Sequence, residues 1–175
     1  YTTFAPQNGV YLRTVPYEQT FDKVYFRSGW TEDDDYLLLD GISGGSHSYQ
    51  DGNCIVRYTS RGASWFRGSR GSAPASVRDY TGVSLAVDGS GPGCESRYAA
   101  LRYFQEGEAL SVAGTAITYP EQGDWYRHIV YSREGWFLVV DEVWPQVKGE
   151  FLVEGRWHLL GEVNLSEGGV CSVQG

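Results

Sequence analysis

A polar loop that leads into a strand contains the residues best suited to acid–base chemistry. His47 stands in this loop with Tyr49, Asp51 and Asn53, and glycines flank the segment. Histidine can take up or release a proton near neutral pH, and tyrosine and asparagine can hydrogen-bond a substrate. The alternative is a hydrogen-bonded turn in which Asp51 and Asn53 bind the local backbone. Spacing alone does not separate a chemical site from such a turn.

A basic segment follows this loop, although the chain as a whole is acidic. Residues 53–78 contain five arginines and no Asp or Glu, within a chain of 175 residues whose formal net charge is -8. The arginines are Arg57, Arg61, Arg67, Arg70 and Arg78. Guanidinium groups bind carboxylates and sulfates through paired hydrogen bonds, and the aromatic side chains among them offer flat faces to sugar rings. The alternative is a solvated basic hairpin that balances the acidic turn at residues 32–35.

Short strands must position these residues, because strand patterns dominate the sequence. Segments rich in β-branched and aromatic residues recur about every 10–12 residues, separated by Gly, Asp, Ser or Pro. This spacing predicts an all-β fold, an antiparallel β-sandwich (supersandwich-like) with little or no helix. The predicted strands are Val10–Val15, Lys23–Arg27, Tyr36–Leu39, Asn53–Thr59, Val83–Val87, Arg97–Phe104, Leu110–Tyr119, Trp125–Ser132, Trp136–Val143, Phe151–Val153 and Arg156–Val163.

One of these strands contains an unbroken apolar run. Residues 136–140 read Trp, Phe, Leu, Val, Val, which predicts a central strand covered on both faces. No linker divides the chain, so we predict a single domain over residues 1–175. The chain contains no Met, and its last residues read like the middle of a strand. We therefore expect a part of a longer protein.

Composition excludes several classes of protein. Aromatic residues make up 15% of the chain and charged residues 21%, and there are 23 Gly. Disordered tails, coiled coils and long-helix bundles have the opposite bias. No apolar run approaches the roughly 20 residues of a membrane span, so no membrane partner is expected. The net charge of -8 argues against nucleic acid, because phosphate binding needs a basic surface.

The three cysteines do not define a compartment. Cys54, Cys94 and Cys171 form no CxxC pair, and three cysteines cannot form a complete set of disulfides. One bridge with one free thiol is possible, but we favour three buried small side chains.

Four segments carry a family resemblance. Residues 36–53 contain an apolar strand, a Gly-rich turn and a His-x-Tyr-x-Asp-x-Asn segment, and Val83–Gly89 is an apolar strand that ends in Asp-Gly. Tyr126–Val143 contains two strands of the form Arg-x-apolar and apolar-Asp-x-Val, and Arg156–Leu159 reads Arg-Trp-His-Leu. In order and spacing, these segments resemble the β-sandwich region of the heparinase II/III-like polysaccharide lyases. The resemblance covers residues 25–163.

The resemblance implies a lyase that cleaves uronate-containing anionic polysaccharides by β-elimination. In this family an α/α toroid precedes the sandwich and supplies the tyrosine that acts as base and acid, and the glycan lies between the two domains. The sandwich supplies the histidine that matches His47, which we assign as catalytic. We assign Tyr49, Asn53, Arg57 and Arg78 to substrate binding. The resemblance also implies a secreted or periplasmic protein, and the chain without its toroid domain is expected to be inactive.

Two departures from the family pattern bear on this assignment. Tyr49 stands where the family has a second histidine, often a zinc ligand, and the histidine of its His-Asn pair is absent near residues 80–83. Because a structural zinc site needs about four ligands, we predict no zinc and no other cofactor. The same losses favour the alternative function, a non-catalytic carbohydrate-binding or scaffold domain.

Overall fold

Antiparallel strands account for most of the chain that the structure describes. The structure is a computed structural model that describes residues 15, 17–42, 51–67, 81–90, 98–119, 122–168 and 171–174. These residues form twelve strands and one short 3-10 turn, Tyr17–Gln19. The strands are β1 Lys23–Arg27, β2 Tyr36–Asp40, β3 Ile55–Ser60, β4 Ala63–Arg67, β5 Gly82–Val87, β6 Ala100–Glu106, β7 Leu110–Tyr119, β8 Gly123–Ser132, β9 Trp136–Pro145, β10 Phe151–Arg156, β11 Glu162–Leu165 and β12 Cys171–Gln174. The predicted all-β antiparallel fold is confirmed.

Two four-stranded sheets form the body of the sandwich. Their strand orders are β1-β2-β3-β4 and β6-β7-β8-β9, and two-stranded ribbons join β5 to β10 and β11 to β12. Strands β7, β8 and β9 are ten residues long and pair along their whole length, from Leu110 opposite Ser132 to Tyr119 opposite Gly123 in the first pair. No helix in the described residues is long and apolar enough to cross a membrane.

Alternation of side chains along the strands builds two apolar clusters. The first lies between the two four-stranded sheets, where Phe26 of β1 stacks on Tyr131 of β8 at a ring separation of 5.3 Å. The second lies under the β5–β10 ribbon and contains Leu85, Ile117 and the fully buried Trp125. Because residues i and i+2 of a strand share a face, each strand contributes every second side chain to these clusters.

The apolar run in β9 is a correction to the sequence analysis. β9 is the last strand of its sheet in the described part of the chain, and it is not covered on both faces. Phe137 and Val139 pack against the first cluster, whereas Trp136, Leu138 and Val140 are exposed. The apolar run therefore has one face in the core and one apolar face exposed to solvent. Because both faces are apolar, the sequence pattern is the same as that of a central strand buried on both sides.

Several strands begin or end one to three residues from their predicted bounds, and two differences are larger. β4 was not predicted, although it pairs with β3 from Arg57 opposite Arg67 to Ser60 opposite Ala63. The predicted strand Arg156–Val163 is wrong, because residues 157–161 connect β10 to β11 instead. In that connection Leu160 N donates to Trp65 O at 2.8 Å, and Gly161 has a φ of 122°. The predicted strand Val10–Val15 lies outside the described residues except for Val15.

Candidate functional site

An ion pair between a buried arginine on β8 and a partly exposed aspartate on β9 forms the base of the candidate site. Arg127 is 1% exposed, and its Nε and Nη2 donate to Asp141 Oδ1 and Oδ2 at 2.8 and 2.9 Å. Trp125 Nε1 also donates to Asp141 Oδ1 at 2.8 Å, and the Trp125 ring lies 4.6 Å from the guanidinium carbon. Two parallel charge-assisted hydrogen bonds fix the guanidinium plane as well as its charge.

The remaining nitrogen of Arg127 binds the ends of two loops. Nη1 donates to the carbonyl oxygens of Asn53 at 3.0 Å and Thr81 at 3.2 Å. Asn53 follows the segment 43–50, and Thr81 is the first described residue after the segment 68–80. In addition, Ile55 N donates to Thr81 O at 3.1 Å. The segments that contain His47 and Arg78 therefore return to the sandwich at neighbouring points.

Asn53 is part of this anchor rather than of an open surface. Its side chain is fully buried, its Oδ1 accepts from the Thr115 hydroxyl, and its Nδ2 donates to Trp125 O at 3.4 Å. Its φ of 65° is left-handed, a conformation that asparagine tolerates better than most residues. Asn53 N also donates to Asp40 O at 2.7 Å. In this structure Asn53 shapes the loop, and its amide contacts protein groups.

A small cluster of carboxyl groups lies at the same loop. Burial, together with a smaller effect of the charge of Asp40, raises the pKa of Asp51 to about 6. Burial also raises the pKa of Asp40, although Lys23 Nζ lies 2.9 Å from its Oδ1. Burial opposes the charge on Lys23, but its hydrogen bonds to Asp22 and Asp40 outweigh that effect and raise its pKa. Asp51 can therefore hold or release a proton near pH 6, the range useful for acid–base chemistry.

The structure describes two of the five predicted site residues. Arg57 is exposed on β3, opposite Leu38 of β2, whereas Asn53 faces the interior, so the structure does not bring these two side chains together. His47, Tyr49 and Arg78 lie outside the described residues. Among the described residues no three His, Cys, Asp or Glu side chains are placed to hold a metal ion.

Arg127, Asp141 and Asp51 were not among the predicted site residues. The available signal for the ion pair was a charged residue at an inward position of each of two neighbouring apolar strands. Such residues are almost never fully buried unless they are paired. No comparable signal exists for Asp51, because its raised pKa depends on burial and on the charge of Asp40, which arise only in the folded chain.

A second polar cluster lies on the outer face of the β6–β9 sheet. Tyr103 Oη lies 2.8 Å from His128 Nδ1, and His128 Nε2 lies 3.4 Å from Glu142 Oε1. The Tyr103 ring crosses the sheet over Gly114, where a Cβ atom would come within 2.1 Å of it. These contacts give both ring nitrogens of His128 a polar partner, and the cluster lies on the opposite face of the sheet from Arg127.

Similarity to known proteins is visible in structure and not in sequence. No family profile matches the chain, and no curated protein sequence matches it. The structure is similar to that of a mutant of heparan sulfate lyase HepC from Pedobacter heparinus, with a TM-score of 0.65 and 16% identity over 85% of this chain and 25% of that one. A structure of heparinase III gives a TM-score of 0.60 at 15% identity, over 85% of this chain and 24% of that one.

These comparisons concern only part of each enzyme. A second HepC structure gives a TM-score of 0.57 at 16% identity, over 78% of this chain and 24% of that one. The chain therefore spans about a quarter of the length of these structures. The resemblance in four short segments of the sequence thus extends to the fold, and most of this chain is similar in fold to about a quarter of HepC and of heparinase III.

Proposed function

We propose that this chain is the β-sandwich portion of a polysaccharide lyase of the heparinase II/III-like type. It faces an anionic, uronate-containing glycan and contributes to β-elimination together with a toroid domain of the same protein. The proposed function implies a secreted or periplasmic protein. The likeness of fold to heparan sulfate lyase HepC and to heparinase III supports the proposal.

The observation that carries the proposal is the shared anchor of two loops. Arg127 Nη1 binds both Asn53 O and Thr81 O, so the segments that contain His47 and Arg78 end side by side. One segment supplies a group for proton transfer and the other a guanidinium for charge neutralisation. Elimination needs both groups within reach of a single sugar residue.

The chemistry assigns a distinct task to each type of side chain. A base removes the proton from the carbon next to the sugar carboxylate, the C–O bond to the neighbouring sugar breaks, and an acid protonates the departing oxygen. Positive charge at the carboxylate makes that proton removable, the task proposed for Arg57 and Arg78. His47 is the proposed proton-transfer group of the sandwich, with Tyr49 as a hydrogen-bonding partner of the glycan.

Asp51 is a further candidate for proton transfer. Because the pKa of Asp51 is about 6, its protonated and ionised forms are both populated near that pH. The carboxyl group can therefore donate or accept a proton there. It is separated from His47 by only three residues. The same loop therefore offers two titratable groups to a substrate.

Affinity electrophoresis of the 175-residue chain tests this function. Gels that contain a uronate polysaccharide should retard the chain, and gels that contain a neutral glucan should not. Added salt and Arg57→Ala should both reduce the retardation, because both remove charge attraction. The control is Arg102→Ala on β6, which removes the same charge from an exposed position in the other sheet. Equal retardation of wild type and Arg57→Ala would contradict the role of Arg57.

A non-catalytic carbohydrate-binding domain is the second candidate function. The burial of Asn53 favours it, because one predicted substrate contact is engaged inside the protein. Retardation by a neutral glucan alone would support this function. Retardation by the uronate polysaccharide alone would favour the lyase portion instead.

A further inference from the structure

A groove lies along one edge of the sandwich. It lies between β1 and β6, which are edge strands of the two four-stranded sheets in the described part of the chain. Its volume is about 600 Å³, within the range of small-ligand sites, about 300–1,000 Å³. Phe26 of β1 and Phe104 of β6 meet in the groove at a ring separation of 5.9 Å. We call this feature the edge groove.

The charge of the edge groove is opposite to that of the molecule. Its lining includes Lys23, Arg27 and Arg133 but only one acidic residue, Glu106, in a chain whose net charge is -8. Arg133 Nη2 is paired with Glu106 Oε1 at 3.1 Å on the surface, and Lys23 is paired with Asp22 and Asp40. Exposed pairs such as that of Arg133 are weak and exchange readily with another anion.

Arg27 is the cation in the groove whose hydrogen bonds are incomplete. Its Nε is buried and has no hydrogen-bond partner among the residues that the structure describes, which is uncommon in folded proteins. The guanidinium carbon lies 4.3 Å from the Trp30 ring and 5.3 Å from the Tyr36 ring. Asp34 is close enough for the Arg27 charge to lower its pKa, as the smallest of several causes. Arg27 is nevertheless half-buried and lines the groove, so a ligand in the groove that brings an acceptor can contact its guanidinium.

Trp30 gives the groove a second means of recognition. Its indole is 81% exposed, an unusual position for a large apolar side chain, and it lies over the guanidinium of Arg27. Aromatic faces next to a cation suit a ring that carries an anionic group, because the ring covers the indole while the anion meets the cation. A neutral apolar ligand would offer no acceptor to the guanidinium of Arg27.

We propose that the edge groove binds an anionic sugar residue, whose carboxylate or sulfate group contacts Arg27 and whose ring covers Trp30. The inference deepens the proposed function and rests on it for the class of ligand, a charged glycan. It adds a binding surface on β1 and β6, elements to which the loop assignments give no role. Arg133 contributes a second cation when the anionic group of the ligand replaces Glu106 as its partner.

Isothermal titration with three tetrasaccharides tests this proposal. The probes are tetragalacturonate, which carries carboxylates, a sulfated galactan tetrasaccharide, which carries sulfates and no uronate, and neutral maltotetraose. We expect at least one anionic probe to bind and maltotetraose not to bind. Arg27→Gln should raise the Kd of that probe about tenfold or more, since hydrogen bonds to charged groups contribute about that much.

Two further variants keep the test decisive. Trp30→Ala alters an exposed side chain and should raise the Kd several-fold without unfolding the protein. Arg102→Gln on β6, which does not line the groove, removes the same charge as Arg27→Gln and should leave the Kd unchanged. Equal effects of Arg27→Gln and Arg102→Gln, or undiminished binding in both Arg27→Gln and Trp30→Ala, would overturn the proposal.

The outcomes separate the groove from the proposed function. Binding of tetragalacturonate that depends on Arg57 and not on Arg27 would overturn the groove and leave the lyase proposal standing. Binding of the sulfated galactan alone, dependent on Arg27, would support the groove and count against a uronate substrate. Binding of maltotetraose with the same affinity as the charged probes would overturn the groove.

Discussion

At the scale of single residues, the guanidinium of Arg127 is the most costly group to leave unpaired. It is 1% exposed, and Asp141 supplies its counter-charge. Asp141→Asn keeps the shape of the side chain but removes that charge. We expect a loss of about 2 kcal/mol in the free energy of unfolding, because the buried Arg127 is left uncompensated while water at the partly exposed Asp141 position reduces the cost. Urea denaturation monitored by tryptophan fluorescence measures it.

The control for this prediction is Glu106→Gln. It makes the same carboxylate-to-amide change in the exposed pair with Arg133, so the loss should stay below about 1 kcal/mol. Similar losses in the two variants would show that Arg127 does not depend on Asp141 for its charge balance. Preserved stability in both would assign the Arg127 network a role other than anchoring the loops.

Asp51 makes a second prediction at the residue scale, for the dependence of stability on pH. Its pKa is raised from 3.8 to about 6, so the folded state holds the proton more tightly than the unfolded state. This contribution to stability is complete below about pH 4 and is lost as the pH rises through 6. Asp51→Asn cannot titrate, so its melting temperature should rise relative to that of the wild type between pH 4 and pH 7.

Calorimetry at both pH values checks this difference in melting temperature. Glu108→Gln removes the same charge from an exposed position, and its difference from the wild type should change little over that range. Asp40, whose pKa is also raised by burial, is present in all three proteins. Its effect on the melting temperature is therefore common to them and cancels in the differences. A constant difference between Asp51→Asn and the wild type would mean that the Asp51 carboxyl is well solvated.

At the scale of elements, strand positions were more predictable than strand surroundings. β1 and β7 have the predicted bounds. Runs of β-branched and aromatic residues favour strands, and the turn residues on either side mark where those strands end. The prediction that β9 is covered on both faces is wrong, because the sequence does not distinguish exposed apolar residues from buried ones. β4 was missed because Ala63–Arg67 lacks that run, and it forms by pairing with β3. The ion pair of Arg127 follows from alternation, but the raised pKa of Asp51 depends on a tertiary contact.

The two faces of β9 give a prediction for this element. Val139 packs against the first cluster, whereas its neighbour Leu138 is 52% exposed. Val139→Ala should lower the free energy of unfolding by about 2 kcal/mol through lost burial and the cavity left behind. Leu138→Ala should cost about 0.5 kcal/mol or less, although it removes more atoms. Urea denaturation of both variants measures the difference, and a larger cost for Leu138→Ala would mean that the outer face is covered.

At the scale of the whole molecule, the net charge and the apolar outer face of the β6–β9 sheet have opposite effects on self-association. Trp136, Leu138, Val140 and Trp144 are all exposed on that face. Contiguous exposed apolar surface promotes association, whereas net charge keeps copies apart. At pH 7 the formal charge of -8 opposes association. At the isoelectric point, about 4.8, that repulsion disappears.

We therefore expect reversible self-association near pH 4.8 through this sheet face. Light scattering at fixed protein concentration should rise as the pH falls from 7 to 4.8 and return to its starting value when the pH is restored. Leu138→Lys should reduce the rise, because it places a charge in the middle of the face. Asn164→Lys adds the same charge to exposed β11 and should affect the scattering much less once each protein is compared at its own isoelectric point. Equal suppression by the two variants would mean that net charge alone controls association and that the apolar face of β9 has no part in it.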